Sequence, residues 1–117
     1  MKKYLFKISK RKIGKDYPPL IIPELGINHE GNIDLAIHMA DLAFQAGAEI
    51  VKNQTHIPDM EMAPIAKKIS PGNSKKNIFD IIKNNSLSES DEKKLVQHVK
   101  IKKKNLFKHS IFKRSSR

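Results

Sequence analysis

The chain has 117 residues, contains no cysteine and carries a formal net charge of +11. The lack of cysteine excludes disulfide bonds and thiolate metal sites, and because it is typical of a reducing compartment we expect a cytoplasmic location. No apolar run approaches the roughly twenty residues that a membrane span needs, and Lys7 and Lys10 interrupt the amino-terminal segment, so we expect neither export nor a membrane partner.

The positive charge is concentrated at the two ends of the chain. Residues 1–15 contain seven Lys or Arg and residues 98–117 contain eight, without an acid, whereas residues 16–97 contain all twelve acids. A small basic protein that binds nucleic acid through these ends is therefore one alternative for the function. No helix-turn-helix, RNP or zinc-finger pattern supports this alternative, so we predict no nucleic-acid partner.

The first sixteen residues predict a β-hairpin. Residues 3–8 alternate imperfectly between polar and apolar, and a basic turn at residues 9–11 leads to Lys12 and Ile13. We expect this hairpin, residues 1–16, to precede a separate unit.

Residues 20–55 have the pattern of a strand, a helix and a second strand. Short apolar runs at Leu20–Ile22 and Ile50–Val51 predict the strands. We expect the first strand to extend from Leu20 to Glu24, with Pro23 near its end or at an irregular position. Apolar residues between them recur at three- and four-residue steps, which predicts a helix that begins at Asn32 and ends at Gly47. The predicted buried face of this helix consists of Leu35, Met39, Leu42, Ala43 and Ala46. A βαβ unit of this length indicates a parallel sheet.

Polar residues follow each predicted strand. Glu24 ends the first and Asn28 follows it, and Lys52 and Gln54 come at the end of the second. Because parallel strands place their carboxyl ends at one edge, we expect these side chains to line a ligand site there. An ammonium group such as that of Lys52 suits a phosphate or carboxylate, and Gln54 lies on the same side of its strand. The Glu24 carboxylate suits proton transfer if its surroundings bring its pKa toward neutrality.

A metal site is not expected. The spacing of His29, His38 and His56 matches no known short zinc motif, so we predict no metal ligands among them.

The second half of the unit begins with an irregular segment. Residues 55–74 contain three prolines and little periodicity, which is typical of a functional lid. Asn77 and Ser88 are suited to cap two further helices. The predicted buried face of the second of these helices consists of Leu95, Val96 and Val99.

Two ordered motifs carry a resemblance to a known family. PELGINHEGN at residues 23–32 and AGAEIVKNQTH at residues 46–56 resemble the start of the sialic acid synthase family, which includes N-acetylneuraminate, legionaminate and pseudaminate synthases. The resemblance runs from about Tyr17 to Val99. It implies condensation of phosphoenolpyruvate with an N-acylated amino sugar to a nine-carbon ulosonic acid, with phosphate release, in surface carbohydrate biosynthesis.

The resemblance also implies a fold and partners. It implies a TIM (β/α)₈ barrel, a homodimer and a divalent metal, Mn or Mg, whose ligands lie in later strands absent from this chain. By resemblance, Glu24 contacts the amino sugar. A complete barrel needs about 250 residues. We therefore expect an α/β fold in which residues 17–99 form the N-terminal part of the barrel, truncated after about two to three βα units, with a basic tail at residues 100–117.

A frameshift is one hypothesis for this basic tail. Codons for Lys108 to Ser116 can be chosen so that the frame one nucleotide later encodes Ser-Thr-Pro-Phe-Ser, a motif that resembles the next barrel strand of the family. Lys102–Lys104 is compatible with an adenine run, where insertions and deletions occur readily. We expect such a fragment to be inactive alone, and an enzyme half completed by a separately encoded remainder is the alternative. The nucleotide sequence tests this hypothesis.

Overall fold

The computed structural model describes residues 1–115, with side chains described through Lys103. The strands are β1 (Phe6–Ile8), β2 (Arg11–Ile13), β3 (Glu24–Leu25) and β4 (Lys52–Asn53). The helices are α1 (Ile33–Gln45), α2 (Pro58–Glu61), α3 (Ile78–Asn84) and α4 (Glu89–Ser115), and 3₁₀ turns occur at Ile27–His29 and Pro64–Lys68.

The amino-terminal segment forms a hairpin. Strands β1 and β2 pair antiparallel, with Lys7 opposite Lys12. The guanidinium of Arg11 joins this hairpin to the rest of the chain, because its Nε lies 3.1 Å from Glu49 Oε2 and its Nη2 donates to Pro18 O at 2.7 Å. These contacts hold the hairpin beside the connection between α1 and β4.

Strands β3 and β4 pair parallel and α1 connects them, so the predicted βαβ unit is present. The predicted positions of these two strands are wrong. The first strand was expected at Leu20–Glu24 and the second at Ile50–Val51, and they lie instead at Glu24–Leu25 and Lys52–Asn53. The prolines that flank the first run have no N–H to donate to a ladder. The ladder begins where Pro23 O accepts from Lys52 N at 2.9 Å.

Helix α1 begins as predicted, because Asn32 Oδ1 accepts a hydrogen bond from Leu35 N at 3.1 Å. The prediction of its buried face is wrong for Leu35, Leu42 and Ala46, whereas Met39 packs against the core as predicted. Leu35 and Leu42 are 36% and 48% exposed, whereas Ala36 and Ala40 are fully buried. The alanines lie in one cluster with Leu95 of α4, and their small side chains let the two helices approach closely. Phe44 is the third buried residue of α1. Tertiary packing therefore decides which side chains of this helix are buried.

Replacing the Asn32 cap gives a first testable prediction. The substitution Asn32→Ala is expected to lower the free energy of unfolding by about 1 kcal/mol, because Leu35 N loses its acceptor. Urea unfolding followed by circular dichroism measures the change. Asn32→Ser keeps an acceptor and is the matched control. Equal stability of the alanine variant and the wild type would contradict the assigned role of the cap.

The core lies between the parallel strands, α1 and α4. Its buried residues are Leu25, Ala36, Ala40, Leu87 and Leu95. Helix α4 begins next to Ser88, whose Oγ accepts from Asp91 N at 3.2 Å, as predicted for a cap. The prediction that Val96 is buried is wrong, since it is 50% exposed. None of the residues with described side chains covers that side of α4 closely enough to bury it.

The predicted lid segment contains regular structure. Residues 55–74 include α2 and the 3₁₀ turn at Pro64–Lys68, and Ala66 of that turn and Phe79 of α3 are both buried. Asn77 caps α3 as predicted, accepting from Asp80 N at 2.8 Å. The role of residues 55–74 as a lid stays a prediction.

Within the described residues the strands form two separate two-stranded sheets and no closed barrel. Membership in a TIM barrel therefore stays a prediction. The expected basic tail, residues 100–117, overlaps α4 and ends outside the described residues. No helix in the described part of the chain has both the length and the apolar character of a membrane span.

Candidate functional site

The candidate site lies on the face of the parallel pair that points away from the helices. Glu24 stands opposite Lys52, and Leu25 opposite Asn53. Because side chains alternate along a strand, the two charged residues share one face and the other two share the opposite face. Leu25 is only 4% exposed in the core, whereas the side chains of Glu24 and Lys52 are 50% and 56% exposed.

Glu24 and Lys52 form an ion pair across the two strands. Lys52 Nζ lies 2.7 Å from Glu24 Oε1. A half-exposed pair of this kind contributes less than about 1 kcal/mol to stability, because water already solvates both charges. The ammonium group can therefore exchange the Glu24 carboxylate for an anionic ligand at little cost to the fold.

The two predicted amide side chains lie at the carboxyl ends of the same strands. Gln54 N donates to Leu25 O at 3.0 Å, which continues the ladder past β4 and sets Gln54 opposite Gly26. A Cβ atom built on Gly26 would lie 3.5 Å from Gln54 Oε1 and 3.8 Å from Asn28 Oδ1. Asn28 Oδ1 also accepts from Gly26 N at 3.1 Å. The structure thus brings all four predicted residues to one edge of the sheet.

His29 supports the loop that carries Asn28. Among the side chains that the structure describes it is the largest that is fully buried, with 1% of it exposed, and its Nδ1 accepts from Gly31 N at 3.1 Å. The Nε2 atom therefore carries the proton of the neutral ring. Burial lowers the pKa of His29 from its ordinary value, and the nearby Glu92 carboxylate opposes this shift. The contacts of His29 assign it a structural role in this loop.

The lowered pKa of His29 predicts a pH dependence of stability. Between pH 7.5 and 5.5 the unfolded chain binds a proton at this residue more readily than the folded chain, so the folded state loses stability as pH falls through about 6.5. Urea midpoints at several pH values measure this loss. We expect His29→Gln to lose less stability than the wild type over this range, and the exposed His38→Gln control to follow the wild type. Parallel curves for His29→Gln and the wild type would contradict the assignment.

Glu92 is a site-supporting residue that the sequence analysis did not identify. Its Oε2 accepts from Asn53 Nδ2 at 2.8 Å and from Thr55 Oγ1 at 2.9 Å. These contacts join the first turn of α4 to Asn53 of β4 and to Thr55, two residues further along the chain, so Lys52 and Gln54 face the other side. The sequence did contain a signal for this role of Glu92. Asn53 and Thr55 are polar, although they lie on the face of the strand that is expected to be apolar.

The described residues do not fit the divalent metal that the family resemblance implies. Among them, no three His, Asp or Glu side chains converge on one point. His56 Nδ1 instead lies 2.7 Å from Glu61 Oε1 within the segment that contains α2.

Comparison with known proteins gives two partial matches. No protein-family model matches the chain. It is 49% identical over 49 residues to the spore coat polysaccharide biosynthesis protein SpsE of Bacillus subtilis. The aligned segment is 42% of this chain and 13% of SpsE. The chain is also 34% identical over 86 residues to the uncharacterized protein MJ1065 of Methanocaldococcus jannaschii. This second aligned segment is 73% of this chain and 22% of that protein. The chain therefore spans less than a quarter of either relative, and its similarity to SpsE is local.

Proposed function

We propose that this chain is part of a synthase of the sialic acid synthase family and contributes Glu24, Lys52 and Gln54 to its active site. The observation that carries the proposal is the position of Glu24 and Lys52, which face each other on parallel strands, away from the helices. The local similarity to SpsE, which is named for spore coat polysaccharide biosynthesis, supports a role in carbohydrate chemistry.

We also propose that the chain folds as part of a TIM barrel. In a TIM barrel the helices form an outer ring, and catalytic side chains come from the carboxyl ends of the strands. In this chain α1 and α4 both pack against the face that carries Leu25. That arrangement corresponds to the outer face of a barrel, and the face that carries Glu24 and Lys52 corresponds to its interior.

The proposed reaction joins two substrates and consumes water. C3 of phosphoenolpyruvate attacks the aldehyde carbon of the amino sugar, and the aldehyde oxygen takes a proton to become a hydroxyl. Water then adds at C2, and the C–O bond to phosphate breaks, which releases inorganic phosphate and the ulosonic acid. Lys52 binds the phosphate or carboxylate of phosphoenolpyruvate. Glu24 binds the sugar and assists proton transfer at its oxygen, while Gln54 donates a hydrogen bond to either substrate.

A chimera tests this proposal. Residues 17–99 would replace the corresponding segment of an N-acetylneuraminate synthase, and phosphate release from phosphoenolpyruvate would be measured with N-acetylmannosamine. We expect turnover roughly a hundredfold or more above that of the same enzyme lacking the segment, because positioned charged groups supply several kcal/mol to such steps. The 117-residue chain alone is expected to release no phosphate. A folded chimera no more active than the deletion would refute the proposal.

A further inference from the structure

A histidine–carboxylate pair follows the strand that carries Lys52. His56 Nδ1 lies 2.7 Å from Glu61 Oε1, and the two side chains are 21% and 35% exposed. Neither residue has a role in the proposed reaction. Because His56 stands between Gln54 and α2, the pair lies next to the carboxyl end of β4, where the candidate site is.

His56 belongs to the same row of side chains as Lys52 and Gln54, on the side away from α4. Residues 54–57 have neither helical nor turn structure. Side chains alternate along an extended segment, and the residues on either side of Gln54 both contact Glu92 of α4. The imidazole ring therefore lies on the face that carries Lys52, one alternate position, or about 7 Å, beyond Gln54.

Glu61 fixes which ring nitrogen of His56 carries the proton. A carboxylate only accepts, so Nδ1 is the donor in this contact, and Nε2 of the neutral ring keeps a free lone pair. The second carboxylate oxygen, Oε2, accepts from Ile57 N at 3.4 Å, and Glu61 N donates to Ile57 O at 3.0 Å. These contacts hold the carboxylate against the start of α2, so the imidazole presents an acceptor at Nε2.

A hydrogen-bond acceptor at this position discriminates between the two proposed substrates. Ionised phosphoenolpyruvate offers acceptor oxygens and a negative charge, which suit the ammonium group of Lys52. The N-acylated amino sugar carries several hydroxyl donors. The acceptor nitrogen of His56 therefore suits a sugar hydroxyl and does not suit phosphoenolpyruvate.

We propose that His56 is a specificity-determining residue whose Nε2 accepts a hydrogen bond from one hydroxyl group of the sugar, and that Glu61 is a positioning residue that acts through His56. This inference rests on the proposed function and deepens it. A site that hydrogen-bonds a substrate hydroxyl rejects analogues that lack it, because its own polar group is left without a partner. His56 thus selects the complete sugar over a deoxy analogue.

The orientation of the ring is tested with the full 117-residue chain. Nitrogen-15 NMR at pH 8 distinguishes protonated from unprotonated imidazole nitrogens. We expect the proton of His56 at Nδ1, and we expect Glu61→Ala to shift it toward Nε2, because the acceptor is lost. Glu61→Gln keeps an acceptor oxygen and should retain the wild-type tautomer. Asp59→Ala removes an exposed carboxylate from the same helix and should change nothing.

Two NMR results would overturn the inference. One is a proton at Nε2 of His56 in the wild-type chain, and the other is a Glu61→Ala variant that keeps the wild-type tautomer. Circular dichroism of each variant separates a change of tautomer from a loss of folding.

Deoxy sugars test the contact itself in the chimera that carries residues 17–99. Analogues of N-acetylmannosamine that each lack one hydroxyl would be compared by kcat/KM for the sugar. We expect one analogue to lower this value about tenfold, and His56→Asn to lower it about tenfold with the complete sugar. Asparagine keeps an N–H donor near the position of Nδ1 and lacks the distal acceptor. His38→Asn changes an exposed histidine of α1 and should leave the value within about twofold.

Combining the two changes identifies the contact. In the His56→Asn chimera the same analogue should cost no further activity, because the hydroxyl and its acceptor form one interaction. The value of kcat/KM for phosphoenolpyruvate at saturating sugar should stay within about twofold of the parent. Independent losses that multiply would overturn the inference, as would an equal loss for phosphoenolpyruvate, since a merely structural role of His56 predicts both.

The outcomes also separate this inference from the proposed function. An active chimera in which the losses multiply refutes the sugar contact and supports the function. An inactive chimera refutes the function and the sugar contact that rests on it, whichever nitrogen of His56 carries the proton.

Discussion

Replacing Lys52 with methionine in the chimera that carries residues 17–99 is expected to lower kcat/KM for phosphoenolpyruvate by about three orders of magnitude. The substitution keeps the length of the side chain and removes the cation, and a loss of about 4 kcal/mol of transition-state binding corresponds to that factor. Steady-state phosphate release at varied phosphoenolpyruvate concentration measures it. The effect on folding should be small, because the pair with Glu24 is half exposed.

Two control variants define what the Lys52 result means. Lys52→Arg keeps a positive charge with a different shape and should retain part of the activity. Lys93→Met removes a lysine that is 76% exposed on α4 and should leave the rate unchanged. A Lys52→Met chimera within tenfold of its parent would show that this ammonium group does not bind the reacting substrate.

Leu95→Ala is expected to lower the free energy of unfolding of the chain by about 3 kcal/mol. Leu95 is 3% exposed and lies in the cluster that joins α4 to α1 and β3, so the smaller residue leaves a cavity. Small domains have stabilities of roughly 5 kcal/mol, so the variant keeps about 2 kcal/mol and about 4% of its molecules should be unfolded at 37 °C. Urea unfolding followed by circular dichroism measures the change.

Val96→Ala is the matched control for the Leu95 variant. Val96 is the adjacent residue of the same helix and is 50% exposed, so its truncation should cost less than about 1 kcal/mol. Equal losses of stability for the two variants would contradict the assignment of Leu95 to the core.

The local elements could be predicted from the sequence where a few neighbouring residues determine them. Asn32, Asn77 and Ser88 each accept a hydrogen bond from the backbone N–H three residues later, and this contact needs no tertiary structure. The parallel pairing of β3 and β4 follows from the length of their connection. The four candidate site residues lie at one edge because topology places strand ends together.

Features that depend on tertiary contacts could not be predicted. The periodicity of α1 predicted that large apolar side chains such as Leu42 are buried, whereas the contact with α4 buries Ala36 and Ala40. Strand β3 begins at Glu24 and not at Leu20, because the prolines before it cannot donate to a ladder, and β4 begins at Lys52 and not at Ile50. The role of Glu92 depends on contacts with Asn53 and Thr55, 39 and 37 residues away in the sequence.

The most direct test of the account is the chemical reactivity of Lys52 in the chimera. Acetic anhydride would modify exposed lysines, and mass spectrometry would follow Lys52 and the exposed control Lys93 with and without phosphoenolpyruvate. At a concentration ten times the dissociation constant, bound ligand should slow acetylation of Lys52 about tenfold and leave Lys93 unchanged. Equal rates at Lys52 with and without the ligand would contradict the claim that this residue binds phosphoenolpyruvate.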